Sequence, residues 1–148
     1  MPSHSIPHQI IAHIDGASRG NPGPAAYGVV LESEDGTHLA ALSKTLGHTT
    51  NNVAEYHALL AALEYAVEHQ LRRLKVLTDS ELLARQIQGA YKVRSPDLKP
   101  LYEHARSTIA RLESFSIQHV RREQNSEADR LANLALDDSK AQEIRAAR

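Results

Sequence analysis

The sequence has 148 residues, a length that suits one domain burying about 70% of the surface its unfolded chain exposes. It holds no cysteine, which excludes disulfides and thiolate metal sites, and with five Tyr, one Phe and no Trp its core must rest on Leu, Ile, Val and Ala. A formal net charge of −1 neither favours nor excludes a nucleic-acid partner, because acids gathered around cations would leave the remaining surface basic.

The opening stretch MPSHSIPHQ lacks the basic-then-apolar pattern of a leader, and no apolar run is long enough to span a bilayer. A soluble, cytoplasmic protein with no obligate protein partner is the expectation. Residues 8–15 read as a first strand, rich in Ile, that ends on Asp15 in front of GASRGNPG. Tyr27–Glu34 and Thr37–Lys44 read as two more strands, joined at Asp35-Gly36, a hairpin signal because a tight two-residue turn needs φ > 0 at both positions. The longest helix spans Asn52–Gln70, with an apolar stripe at Tyr56, Leu59, Leu60, Leu63 and Val67.

A strand at Leu74–Thr78 and a short helix over Ser80–Gln88, stopped by Gly89, come next. Asp97–Leu112 is a further helix whose first turn is restricted by Pro100; Phe115–Val120 is a last strand and Ser126–Leu136 a last helix. Residues 139–148 form a polar, weakly patterned tail, expected to be disordered, outside a single domain of residues 1–138. Three hairpin-connected strands followed by alternating helices and strands predict an α/β fold, a five-stranded mixed sheet flanked by helices.

Four acids stand at element boundaries: Asp15, Glu55, Asp79 and Asp129. Three have an ordinary structural explanation. Asn52-Val-Ala-Glu55 has the form of a capping box, Ser126-Glu-Ala-Asp129 is the same pattern one methylene shorter, and Asp79 precedes a helix as an N-cap would. Asp15 has none. On a central strand its charge costs on the order of several kcal/mol in desolvation, and nearby carboxylates make that worse. A divalent cation reverses the sign of the problem. Mg²⁺ prefers carboxylate and water oxygens, and a pair of ions can hold both the attacking water and the leaving oxygen of a phosphodiester. There is no HExxH and no P-loop Lys-Ser/Thr after the glycines.

DGASRGNPGPAAYG after a strand, TTNNVAEYHALLAAL opening a helix, TDSELL after a strand and NSEADRLAN in the last helix together resemble the type 1 ribonuclease H family. The four blocks come in family order and cover most of residues 8–136. The resemblance implies a ribonuclease H-like fold and a Mg²⁺-dependent endonuclease, with two ions per site and Mn²⁺ as a substitute. It implies cleavage of the RNA strand of RNA–DNA hybrids to 3′-hydroxyl and 5′-phosphate ends. Asp15, Glu55, Asp79 and Asp129 fall on the metal-binding catalytic acids. Asn21 and Asn52 match contacts to the hybrid, Glu81 stands where relatives often carry a Gln that contacts the hybrid, Thr50 matches a contact to a DNA phosphate, and Gly16 a close approach of nucleic-acid backbone.

Two departures stand out. The basic, Trp-containing protrusion of many relatives is reduced to GAYKVRSPD, so Lys92, Arg94 and Lys99 are the substitutes at hand. The mobile histidine before the last acid is missing. Arg121, Arg122 and Glu123 stand near its position, and Arg122 is the expected catalytic substitute, binding the scissile phosphate or helping product leave rather than moving a proton. Another nuclease on the same fold, and a catalytically silent hybrid-binding module, are the alternative readings.

Overall fold

The computed structural model describes residues 9–146, so His8, the expected first residue of the opening strand, lies outside the described residues. Strands β1 (Ile10–Ser18), β2 (Gly23–Ser33) and β3 (His38–Thr49) form an antiparallel meander. On the other side of β1, strands β4 (Arg73–Thr78) and β5 (Ser114–His119) add in parallel, giving the order β3-β2-β1-β4-β5. Parallel neighbours need crossovers. Helix α1 (Asn51–Glu68) precedes β4, and α2 (Glu81–Gln88) with α3 (Lys99–Ile109) connects β4 to β5; α4 (Ser126–Ala146) closes the described chain. The expected α/β class and five-stranded mixed sheet are both present.

β1 is central and covered on both faces. Ile10, Ala12 and Ile14 point into a core shared with Val29, Leu31, Leu74 and Val76 of the sheet and with Leu59, Ala62 and Leu63 of α1. Of the stripe expected on α1, Tyr56, Leu59, Leu60 and Leu63 are buried and Val67 is half-buried. Tyr56 keeps its hydroxyl satisfied by donating to Gln86 Oε1 at 2.7 Å, which ties α1 to α2. On the opposite face, α4 packs across β1, β2 and β3.

Several boundaries differ from expectation, most of them near the same end of the sheet. β1 does not stop at Asp15 but continues to Ser18, paired with Ala25 of β2. β2 starts at Gly23 and β3 runs to Thr49, because Gly23–Ala26 and Thr45–Thr49 pair with each other around a bulge at Ala25/Ala26. The β2–β3 connection is longer than a two-residue turn: Gly36 N–H donates to Ser33 O and Ser33 N–H to Thr37 O, and only Gly36 has positive φ. α3 is shorter than expected, with Pro100 in its first turn. α4 runs ten residues past Leu136, so the stretch expected to be a disordered tail is helical through Ala146.

Candidate active site

The sheet register brings the first two acids together. The parallel β1–β4 ladder ends at the pair Ile14↔Thr78, so Asp15 and Asp79 are the next residues on adjacent strands. Asp15 is therefore not a strand end but the point at which one side of β1 opens while the other stays paired to β2. Glu55 arrives from the second turn of α1. The helix can come this close because Gly16 has no side chain: a Cβ there would lie 2.3 Å from Glu55 N and 2.4 Å from Ala54 C. In return, Gly16 N–H donates to Glu55 Oε1 at 2.7 Å. Asp15, Glu55 and Asp79 each offer an oxygen, all within 4.8 Å of one another. Asp129 reaches the same cleft from α4, close enough for its charge to act on Asp15.

These acids line a cleft of about 430 Å³ with Ser18, Asn51, Ser80, His119, Arg121, Arg122 and Asn133. Asp15 and Glu55 are each only 4% exposed. Burial, and then the charges of Glu55, Asp79 and Asp129, push the Asp15 carboxyl up to about 9. Burial is also the main cause that raises Glu55 to about 8, against the opposing pull of the Gly16 N–H. Arg122 Nε stands 3.9 Å from Asp79 Oδ2 and also favours the charged form of Glu55, but its side chain is 85% exposed. One solvated guanidinium does not neutralise four clustered carboxyls. An all-oxygen, strongly anionic donor set of this kind fits a hard divalent cation.

The ordinary explanations for Glu55 and Asp79 do not hold. The N-cap of α1 is Thr50, whose Oγ1 accepts from Val53 N at 3.2 Å, so Asn52 is not a cap and Glu55 closes no capping box. The N-cap of α2 is Ser80, not Asp79. The close approach expected of nucleic acid at Gly16 is taken on its Cβ side by the backbone of α1, although its main chain still lines the cleft. Asn21 Oδ1 accepts from Asn51 N at 3.0 Å, which joins the β1–β2 connection to the start of α1. Asn21, Thr50, Asn52 and Glu81 lie outside the cleft lining, and Glu81 is exposed beside Arg85 at 3.8 Å.

Sequence reasoning missed three asparagines. Asn51, not Asn52, lines the cleft. Asn125 is 1% exposed and donates to Ile14 O at 2.6 Å, pinning the 3₁₀ turn Arg122–Asn125 to β1 beside Asp15. Asn133 Nδ2 donates to Asp129 O at 3.0 Å and to Asp129 Oδ1 at 3.3 Å. Only Asn133 carried a signal, its i,i+4 spacing from Asp129.

A mixed sheet in this order, with carboxylates converging where its parallel ladder ends, defines a ribonuclease H-like protein. A family described as reverse transcriptase-like matches residues 13–135. Ribonuclease HI of Halobacterium salinarum is 47% identical over 131 residues, which are 88% of this chain and 66% of the relative. The crystal structure of RNase H1 from that archaeon superposes with a TM-score of 0.85, covering 88% of this chain and 98% of that one. The N-terminal RNase H domain of Mycobacterium tuberculosis Rv2228c gives a TM-score of 0.87 at 41% identity, over 91% and 98% of the two chains. LC11-RNase H1, isolated from compost and solved in complex with an RNA/DNA hybrid, gives 0.84 at 43% identity, over 88% and 98%. The chain belongs to the ribonuclease H family. It spans about two thirds of the full halobacterial relative and about a third of full-length Rv2228c.

Proposed function

We propose that this chain is an endonuclease that hydrolyses the RNA strand of RNA–DNA hybrids, leaving 3′-hydroxyl and 5′-phosphate ends. The observation that carries the reading is the buried cluster of Asp15, Glu55 and Asp79, with oxygens within 4.8 Å of one another in an open cleft. Its likeness to a relative solved with an RNA/DNA hybrid supports the substrate. Asp15, Glu55, Asp79 and Asp129 hold two Mg²⁺ ions, with Mn²⁺ as a substitute. Such a pair, when bound, favours in-line attack by water on phosphorus and steadies the leaving 3′-oxygen.

The other residues act on the substrate. Glu55 orients the ribose through its 2′-hydroxyl, the group that separates RNA from DNA. Arg122 binds the scissile phosphate and, never deprotonating, moves no proton. Asn21 has its carbonyl oxygen engaged and its amide hydrogens free for the hybrid. Thr50 accepts as a cap yet keeps a hydroxyl proton to donate to a DNA phosphate. Asn52 and the Gly16 main chain complete this edge, while the contact of Glu81 rests on its sequence position alone. Exposed Lys92, Arg94 and Lys99 give a second grip on the phosphate backbone.

Incubation with Mg²⁺ and end-labelled RNA–DNA, RNA–RNA and DNA–DNA duplexes of one sequence tests the proposal. Cleavage confined to the RNA strand of the hybrid is expected. Equal cleavage of DNA–DNA overturns it in favour of a general nuclease, and no cleavage at all in favour of a silent binding module.

A further inference from the structure

Gly28 lies directly across β1–β2 from Asp15. Paired residues on adjacent strands face the same side of a sheet, and here that side carries α4. A Cβ built on Gly28 would lie 2.2 Å from Ala128 O, 2.8 Å from Ala132 N and 2.9 Å from Leu131 Cβ. Two of these are backbone atoms of the helix, which cannot rotate out of the way. The contact is small on both sides: Ala128 and Ala132 are fully buried. Asp129 sits within the same turn, lining the cleft with Asp15 and held along the helix by Asn133.

We infer that Gly28 is a positioning residue for the metal centre: lacking a side chain, it seats the backbone of α4 on β2 and so holds Asp129 against Asp15. The inference rests on the reading of these acids as cation ligands. Any side chain at position 28 makes α4 retreat by about 1 Å, and Asp129 retreats with it. Loss of the outer support of a metal ligand weakens metal affinity by about 10- to 100-fold, the scale expected here. Substrate grip should change little, because none of the residues proposed to bind the hybrid through phosphate or sugar contacts alone lies on α4.

The test compares Gly28→Ala with Val30→Ala, a buried truncation two residues along the same strand that loosens packing without wedging α4. Calorimetric titration with Mn²⁺, free of nucleic acid, should show about tenfold weaker binding for Gly28→Ala and wild-type binding for Val30→Ala. The Mg²⁺ midpoint of hybrid cleavage should move with it, at a KM within about twofold of wild type. Ala132→Ser adds an atom to a fully buried side chain in the turn of α4 that meets Gly28 and should shift Mn²⁺ binding in the same direction, which decides the matter if Gly28→Ala does not fold. Wild-type Mn²⁺ binding in folded Gly28→Ala or in Ala132→Ser overturns the inference, as does an equal loss in Val30→Ala. A wild-type protein that binds Mn²⁺ but cuts no hybrid would sink the functional proposal, while the calorimetry still decides the role of Gly28.

Discussion

At the scale of single residues, Asp15 and Glu55 give the clearest expectations. Both carboxyls are raised in the folded protein, Asp15 to about 9 and Glu55 to about 8, chiefly by burial. The folded state therefore holds protons that the unfolded chain has released. Their contribution to stability is fully present below about pH 4 and is lost as pH climbs through 8 to 9. Metal-free protein should thus melt at progressively lower temperature from pH 5 to pH 9. Asp15→Asn removes the most strongly shifted group. It should abolish cleavage, flatten this pH dependence and melt at or above the wild-type temperature in EDTA at pH 8. A lower melting temperature there would make Asp15 a structural acid and undo the reading of the cluster. Arg122 offers a second test. Its side chain is solvated, so Arg122→Ala should leave stability within about 0.5 kcal/mol of wild type. Turnover should fall roughly 10- to 100-fold, the loss expected for a charge-assisted contact of about 1.4–2.7 kcal/mol. The pH–rate profile should keep its form, since a guanidinium has no pKa in range. Arg122→Lys should recover part of the rate and Arg121→Ala should cost less. The reverse ranking would move the role to Arg121.

The elements explain why part of this site was legible and part was not. The four acids stood out because each punctuates an element, and a carboxylate on a central strand has no structural excuse. The caps did not, because Thr49, Thr50, Asn51 and Asn52 can all cap a helix and nothing local chooses among them. The choice is tertiary: Asn21 takes the Asn51 N–H, and Thr50 is left to face Val53 N. The extra length of β2 and β3 was hidden for a similar reason. Gly23, Pro24 and Gly47 look like loop residues, yet Gly23 and Pro24 are paired within β2, and Gly47, at φ +74°, pairs with Ala25 beside the bulge. Gly28 looked like an ordinary strand glycine, and its contact with α4 spans about a hundred residues of sequence. These placements make Thr50 a residue with two duties. Thr50→Ala should cost about 1 kcal/mol of stability through the lost cap and also raise KM for the hybrid. Thr50→Ser should restore both, and Asn52→Ala should raise KM with little change in stability. A chemical-denaturation midpoint unchanged in Thr50→Ala would remove the cap from this account.

For the whole molecule, the open question is where the folding unit ends along α4. The helix continues to Ala146, past the boundary expected at residue 138, yet continuity of a helix does not make its last turns part of the core. Tertiary packing of an apolar face supplies most helix stability, and among the α4 side chains whose burial is described the last buried one is Leu136. Asp137 follows it and pairs with Arg19 Nη2 at 2.6 Å, a contact that fastens α4 to the β1–β2 connection beside the cleft. Both partners are substantially exposed, so this pair adds at most about 1 kcal/mol. Beyond it, Asp138, Lys140 and Gln142 are exposed and Ser139 is half-buried. A chain ending at Asp138 keeps every residue that seats the four acids, including Ala128, Ala132 and Asn133. It should fold, bind Mn²⁺ and cleave the hybrid with kcat and KM within about twofold of the full chain, and its denaturation free energy should drop by no more than about 1 kcal/mol. A second truncation, ending at Asn133, removes Leu136 and the Asp137 partner of Arg19 and should lose far more, about 2–5 kcal/mol from the buried leucine alone. Denaturant titrations of the three lengths give the comparison. A drop as large for the first truncation as for the second would mean that the terminal turns of α4 belong to the folding unit, and that the domain extends beyond residue 138.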